Sequence, residues 1–123
     1  IWGSGKPLRE FLFVDDLAIA CSKDMNLTYN DYKSITEKKG SLINVGSGKD
    51  ISIKNLAKII AHATNYKGRI IWDQSKPDGT PKKQLDVSRL KSLGWQSKIS
   101  LEKGIRSTVA HFKEEIRSNR ARL

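Results

Sequence analysis

Cysteine and methionine each occur once in the 123 residues, proline three times, and no apolar run approaches the ~18 to 20 residues of a membrane-spanning helix. Each scarcity removes a class of protein. A single cysteine closes no internal disulfide, so Cys21 reads as a reduced, half-buried small side chain in a reducing compartment. Without a spanning segment, a soluble cytoplasmic protein that does not contact a membrane is expected. His62 and His111 lie on amphipathic helices with no cluster of further Cys or His ligands, so no metal site is expected. The chain opens IWGSGKPLREFLFVDD, with no methionine, signal peptide or polar leader, and reads as a cut made inside a longer protein.

What is present is charge. With 37% apolar and 29% charged residues, the length supports at most one ordinary domain with a modest core. A formal net charge of +10 invites a nucleic-acid or an acidic-ligand partner and does not choose between them. The basic end RSNRARL is short and lacks interleaved aromatics, which favours a solvated helix end over a nucleic-acid arm.

Strand and helix signals alternate along the chain. After a turn-rich stretch at Gly3, Gly5 and Pro7, residues 10–14 (EFLFV) have strand character. Asp15 and Asp16 then stand where helix caps belong, with Leu17, Ala20, Cys21 and Met25 on one helical face. Residues 27–40 read as a polar helix-loop excursion. Residues 41–45 (SLINV) read as a short buried strand, followed by a helix capped by Ser52 that carries Leu56, Ile59, Ile60 and Ala63. Residues 69–73 (RIIWD) supply another strand, residues 86–93 a short helix, and Ser100 opens a last helix with a stripe of Leu101, Ile105, Val109, Phe112 and Ile116. The resulting order, β-α-(α)-β-α-β-α-α, is an α/β pattern.

Two apparent motifs fail on context. Tyr29 and Lys33 have the Y-x-x-x-K spacing that places a phenol and an ammonium on one helix face, yet they lie in the polar excursion, and so short a pattern arises readily by chance. The glycines of WGSGK and NVGSGK complete neither G-x-G-x-x-G nor a P-loop, which favours tight turns over phosphate cradles.

Binding-type residues remain in two loops, residues 3–9 and 75–83. Trp2 offers a flat face for a base or sugar ring, and Arg9 at a strand start can clamp a phosphate with two parallel hydrogen bonds. Lys82 and Lys83 add point charges. Asp78, set between Pro77 and Gly79, can accept paired hydrogen bonds from sugar hydroxyls or from the donor edge of a base. Together they suit a nucleoside diphosphate joined to a sugar. A purely structural account is equally open at this point: Arg9 paired with Asp15 or Asp16, Trp2 in the core, and the lysines facing solvent.

The segments IWGSGKPLREFLFVDDLAIA, SLINVGSGKDISIKNLAKII, YKGRIIWDQSKPDGTPKKQLDVSRLKSLGW and ISLEKGIRSTVAHF resemble the C-terminal part of the GDP-L-fucose synthase family of extended short-chain dehydrogenase/reductases. R-E-F-x-x-V-D-D and N-V-G-x-G are similar to many nucleotide-sugar reductases and epimerases; S-K-P-D-G-T-P-K-K-Q-L-D-V is more specific to this family. The resemblance implies an α/β substrate-binding portion spanning residues 1–123 and lacking its N-terminal NAD(P)-binding Rossmann-like domain. Residues 15–27, 41–48 and 85–95 would pack on that domain, and the piece alone would be poorly stable. The family makes GDP-L-fucose from GDP-4-keto-6-deoxy-D-mannose, epimerising at two carbons and reducing a ketone with NADPH. Trp2, Arg9, Asp78 and Lys83 match its substrate-contacting positions. Lys82 stands where other members often have Arg, and Phe13 where some have His. The resemblance places the catalytic residues and the NADP(H) site upstream of Ile1, so the chain alone would bind no cofactor and be inactive, while the full-length enzyme would be a homodimer acting on a GDP-sugar. A related reductase or epimerase on another nucleotide sugar, or a small basic nucleic-acid-binding module, are the alternatives.

Overall fold

In the computed structural model, which describes residues 1–37 and 40–121, a three-residue strand organises the binding loops. Strand β1 (Leu8–Glu10) lies between β2 (Asp50–Ser52), antiparallel to it, and β3 (Lys82–Lys83), parallel to it. Arg9 is in register with Ile51 on one side and Lys83 on the other. A small sheet of order β2-β1-β3 thus joins chain segments far apart in sequence.

The helices are α1 (Val14–Met25), α2 (Tyr29–Thr36), α3 (Ile53–Thr64), α4 (Ser88–Ser92) and α5 (Leu101–Arg117). The element order reproduces the one read from the sequence, but the first strand shares only Glu10 with residues 10–14, Val14 opening α1 instead, and the other two strands fall elsewhere. Residues 41–45 and 69–73 form no strand. The first are extended chain held by side chains, with Arg89 Nη1 donating to the carbonyls of Gly40 and Leu42 and Asn44 Nδ2 to that of Asp86. The second make an isolated bridge between Asp73 and Trp2. A buried strand needs ladder partners on its edges; residues 41–45 find none among the described residues, and residues 71–73 pair only with the first three residues, the Ile1 amino group and the Gly3 amide donating to the Ile71 and Asp73 carbonyls and the Asp73 amide to the Ile1 carbonyl. For the same reason β1 ends at Glu10, where its neighbours end, and residues 11–13 leave the sheet.

That early exit moves the start of α1. Phe13 occupies the cap position without a side-chain cap, and Asp15 and Asp16 lie in the first turn, where their charge still favours the helix dipole. Asp16 is buried because its Oδ2 accepts hydrogen bonds from the Lys98 and Ile99 amides at 3.0 and 2.9 Å, tying α1 to the approach of α5. The expected apolar face of α1 is only partly buried. Ala20 is inside; Leu17, Cys21 and Met25 are exposed, Leu17 at 40% and Met25 at 86%, since the described residues cover this face only in part.

The Ser52 and Ser100 caps fall where the sequence places them, and Thr28 caps α2. Thr28, Ser52 and Ser100 accept from the amides of Asp31, Asn55 and Lys103, and Asn65 closes α3 in the left-handed region. Helices α3 and α5 pack on each other, burying Leu56, Ile59, Ala63, Leu101, Ile105 and Val109 in part, while Ile60, Phe112 and Ile116 stay exposed. Arg117 pairs with Glu114 and Arg120 with Glu115, making the basic end an ion-paired helix terminus. Tyr29 and Lys33 lie exposed on α2, with Lys33 near Glu37. The core is small: Ala20 of α1, Leu90 of α4 and Trp95, with Leu12, Ile43 and Val45 against it. Complete burial of Leu90 contributes ~1.5 to 3 kcal/mol.

Candidate functional site

The loop 3–6 and the loop 75–81 are joined by one carboxylate. Asp78 Oδ1 accepts from the Ser4 amide at 2.7 Å and its Oδ2 from Ser4 Oγ at 2.6 Å. Only glycine fits beside this pair, because a Cβ on Gly3 would lie 2.4 Å from Asp78 Oδ1. The two Ser4 hydrogen bonds hold the Asp78 carboxyl below its ordinary pKa, with Lys6 adding a smaller effect of the same sign. Each carboxylate oxygen keeps a lone pair for a further donor.

Arg9 is half-buried beneath the same loop. Its Nη1 donates to the carbonyls of Leu8 and Thr80, both at 2.7 Å, rather than pairing with Asp15 or Asp16. The guanidinium is thus locked in orientation through one nitrogen, with its other donors free of any partner among the described residues. Because paired residues of a ladder share a face, Lys83 projects to the same side of the sheet as Arg9. Lys82 goes to the other side, where its Nζ lies 2.9 Å from Asp50 Oδ2 without hydrogen-bond alignment, a Coulombic attraction. Lys83 is exposed and has no ion-pair partner among the described residues.

Trp2 is not core. Its backbone is bridged to Asp73, and its ring is 75% exposed with Lys76 Nζ 5.7 Å from the ring centroid, a cation–π arrangement. Trp2, Asp78 and Arg9 are thereby gathered through Ser4 and Thr80, and Lys83 joins them through the sheet register. Sequence reasoning missed two residues that build this arrangement. Ser4 is inconspicuous between two glycines, and its role shows only once Asp78, 74 residues on, is placed beside it. Glu10, next to Arg9, accepts from the Gly48 amide at 2.6 Å and the Leu85 amide at 2.7 Å. The Gly-Ser-Gly turn at 46–48 therefore holds an internal carboxylate.

No protein-family model matches the chain. It is 52% identical to GDP-L-fucose synthase of Escherichia coli K12 over 114 residues, 93% of this chain and 36% of that protein. Among solved structures, a GDP-6-OMe-4-keto-L-xylo-heptose reductase from C. jejuni superposes with a TM-score of 0.81 at 36% identity, over 94% of this chain and 33% of that one. A GDP-L-fucose synthetase from Naegleria fowleri bound to NADP gives 0.79 at 30% identity, over 98% and 36%. The chain spans about a third of the length of the relatives it matches. The resemblance drawn from the motifs holds for a piece of that length, as does the mixed α/β fold of an extended short-chain reductase.

Proposed function

We propose that this chain, homologous to about a third of GDP-L-fucose synthase, forms the nucleotide-sugar wall of an NADP-dependent epimerase-reductase that makes GDP-L-fucose from GDP-4-keto-6-deoxy-D-mannose. The observation that carries this is Arg9, oriented by Thr80 with Lys83 on the same sheet face and the open ring of Trp2 on the adjoining loop. In this arrangement Arg9 clamps the diphosphate by paired hydrogen bonds and Lys83 adds a second positive charge. Trp2 stacks on a base or sugar, displacing or sandwiching Lys76, and Asp78 turns its remaining lone pairs to a donor of the ligand.

The residues here bind and orient the substrate. Cofactor binding and the proton and hydride chemistry belong to residues beyond this segment, so the segment alone is inactive, and the complete enzyme is a cytoplasmic homodimer. Among the described residues no helix is long and apolar enough to cross a membrane. Titration of the complete protein with GDP-, UDP- and dTDP-sugars tests the reading. Tight binding of GDP-sugars alone is expected, and equal or stronger binding of UDP- or dTDP-sugars would overturn it. The likeness to a GDP-heptose reductase favours one second reading, a reductase on a different GDP-sugar, which turnover of GDP-4-keto-6-deoxy-D-mannose separates from the first.

A further inference from the structure

Glu10 follows Arg9 on β1, and its carboxylate reaches both neighbouring loops. Oε1 accepts from the Gly48 amide at 2.6 Å and from Ser47 Oγ at 3.3 Å, while Oε2 accepts from the Leu85 amide at 2.7 Å. Leu85 lies two residues beyond Lys83, so one side chain attached to the Arg9 strand fixes both the turn at 46–48 and the exit of β3. Gln84 Nε2 adds a bond to the Gly48 carbonyl at 2.7 Å, joining those two loops directly. Space for the carboxylate depends on Gly46, where a Cβ would lie 2.4 Å from Oε1.

We propose that Glu10 is a positioning residue: it holds the strand end carrying Lys83 at a fixed offset from Arg9, so that the two cations match the two phosphates of a nucleoside diphosphate. The inference rests on the functional reading above for its ligand. Two cations at a set spacing discriminate diphosphate from monophosphate, whereas one mobile lysine adds charge without that selectivity. Glutamine at position 10 preserves shape but presents an NH2 to one of the backbone amides, two donors face to face, which opens one side of the clasp.

The test uses the complete polypeptide carrying this segment, as wild type, Glu10→Gln and Gly46→Ala, titrated with GDP, GMP and guanosine. The second variant displaces the carboxylate without removing it. Both should bind GDP about tenfold more weakly and lose GDP-over-GMP preference, with guanosine affinity close to wild type and a melting temperature only moderately lowered. Equal losses for GDP and guanosine, or unchanged GDP affinity in both variants, overturn the positioning role. Wild-type protein that binds none of the three overturns the functional reading instead. Amide exchange then still judges the clasp: Gly48 and Leu85 should be slow in wild type and fast in Glu10→Gln, and equal rates overturn it.

Discussion

The loops around β1 and the apolar face around α1 are built on opposite terms. Around β1 the side chains of three polar residues are held in place within the chain: Asp78 by Ser4, Arg9 by Leu8 and Thr80, Glu10 by Gly48 and Leu85. Around α1 the apolar groups are left incomplete. Ala20 and Leu90 are buried, but Val14, Leu17, Ile19, Met25, Leu42 and Leu85 keep large exposed surfaces. The carboxylates follow the same division. Asp78 is hydrogen-bonded and held below its ordinary pKa, whereas Asp24 at the end of α1 is raised, by burial first and against the opposing charge of Lys23, with Oδ1 lacking a partner among the described residues. A recognition surface needs fixed geometry and can obtain it locally from hydrogen bonds. A core needs volume on both sides, and the described residues leave this face partly open.

The largest effect should come from presenting the apolar face to water. The 123 residues expressed alone should melt with low cooperativity and bind a hydrophobic dye strongly, whereas a sharp transition without dye binding would show that residues 15–27, 41–48 and 85–95 need no further domain. A smaller effect should follow from emptying the polar side of its one exposed ring. Trp2→Ala should weaken GDP binding by roughly 5- to 150-fold, the ~1 to 3 kcal/mol of a stacked base, and leave the melting temperature unchanged. A drop in melting temperature with affinity intact would move Trp2 to the structural side. The smallest effect concerns acid. Since the folded Asp78 carboxyl lies below its ordinary 3.8, its contribution is complete above pH 3.8 and is lost as pH falls through the lower folded value. Carboxyl chemical shifts of Asp78 should therefore titrate below 3.8, and a midpoint above it would mean that Ser4 does not hold the carboxylate in solution.

Local signals were legible where the chain satisfies itself locally. The Ser52 and Ser100 caps and the α3 and α5 stripes follow from short-range hydrogen bonding and helical periodicity. Residues 41–45 and 69–73 misled because an apolar run of strand length states only that it will be buried; pairing depends on neighbours, and the described residues offer the first run none and the second only the three residues at the chain start. The short β2 and β3 were invisible for the converse reason, since Asp50 and Lys82–Lys83 carry no strand composition and pair only because β1 lies between them. In the site, residue types pointed to Arg9, Trp2, Asp78 and Lys83, but not to Ser4 or Glu10, whose partners are 74 and up to 75 positions away.

The three tryptophans fall at three depths, and this gives the molecule its own optical readout. Trp2 is open to water beneath a lysine, Trp72 is half-buried against Gly5, and Trp95 is enclosed beside Leu90. Emission from Trp95 should shift to longer wavelength only when the small core opens, while a change confined to Trp2 marks occupation of the loops. With the other two replaced by phenylalanine in turn, ligand arrival and loss of structure become separable colours in a single cuvette.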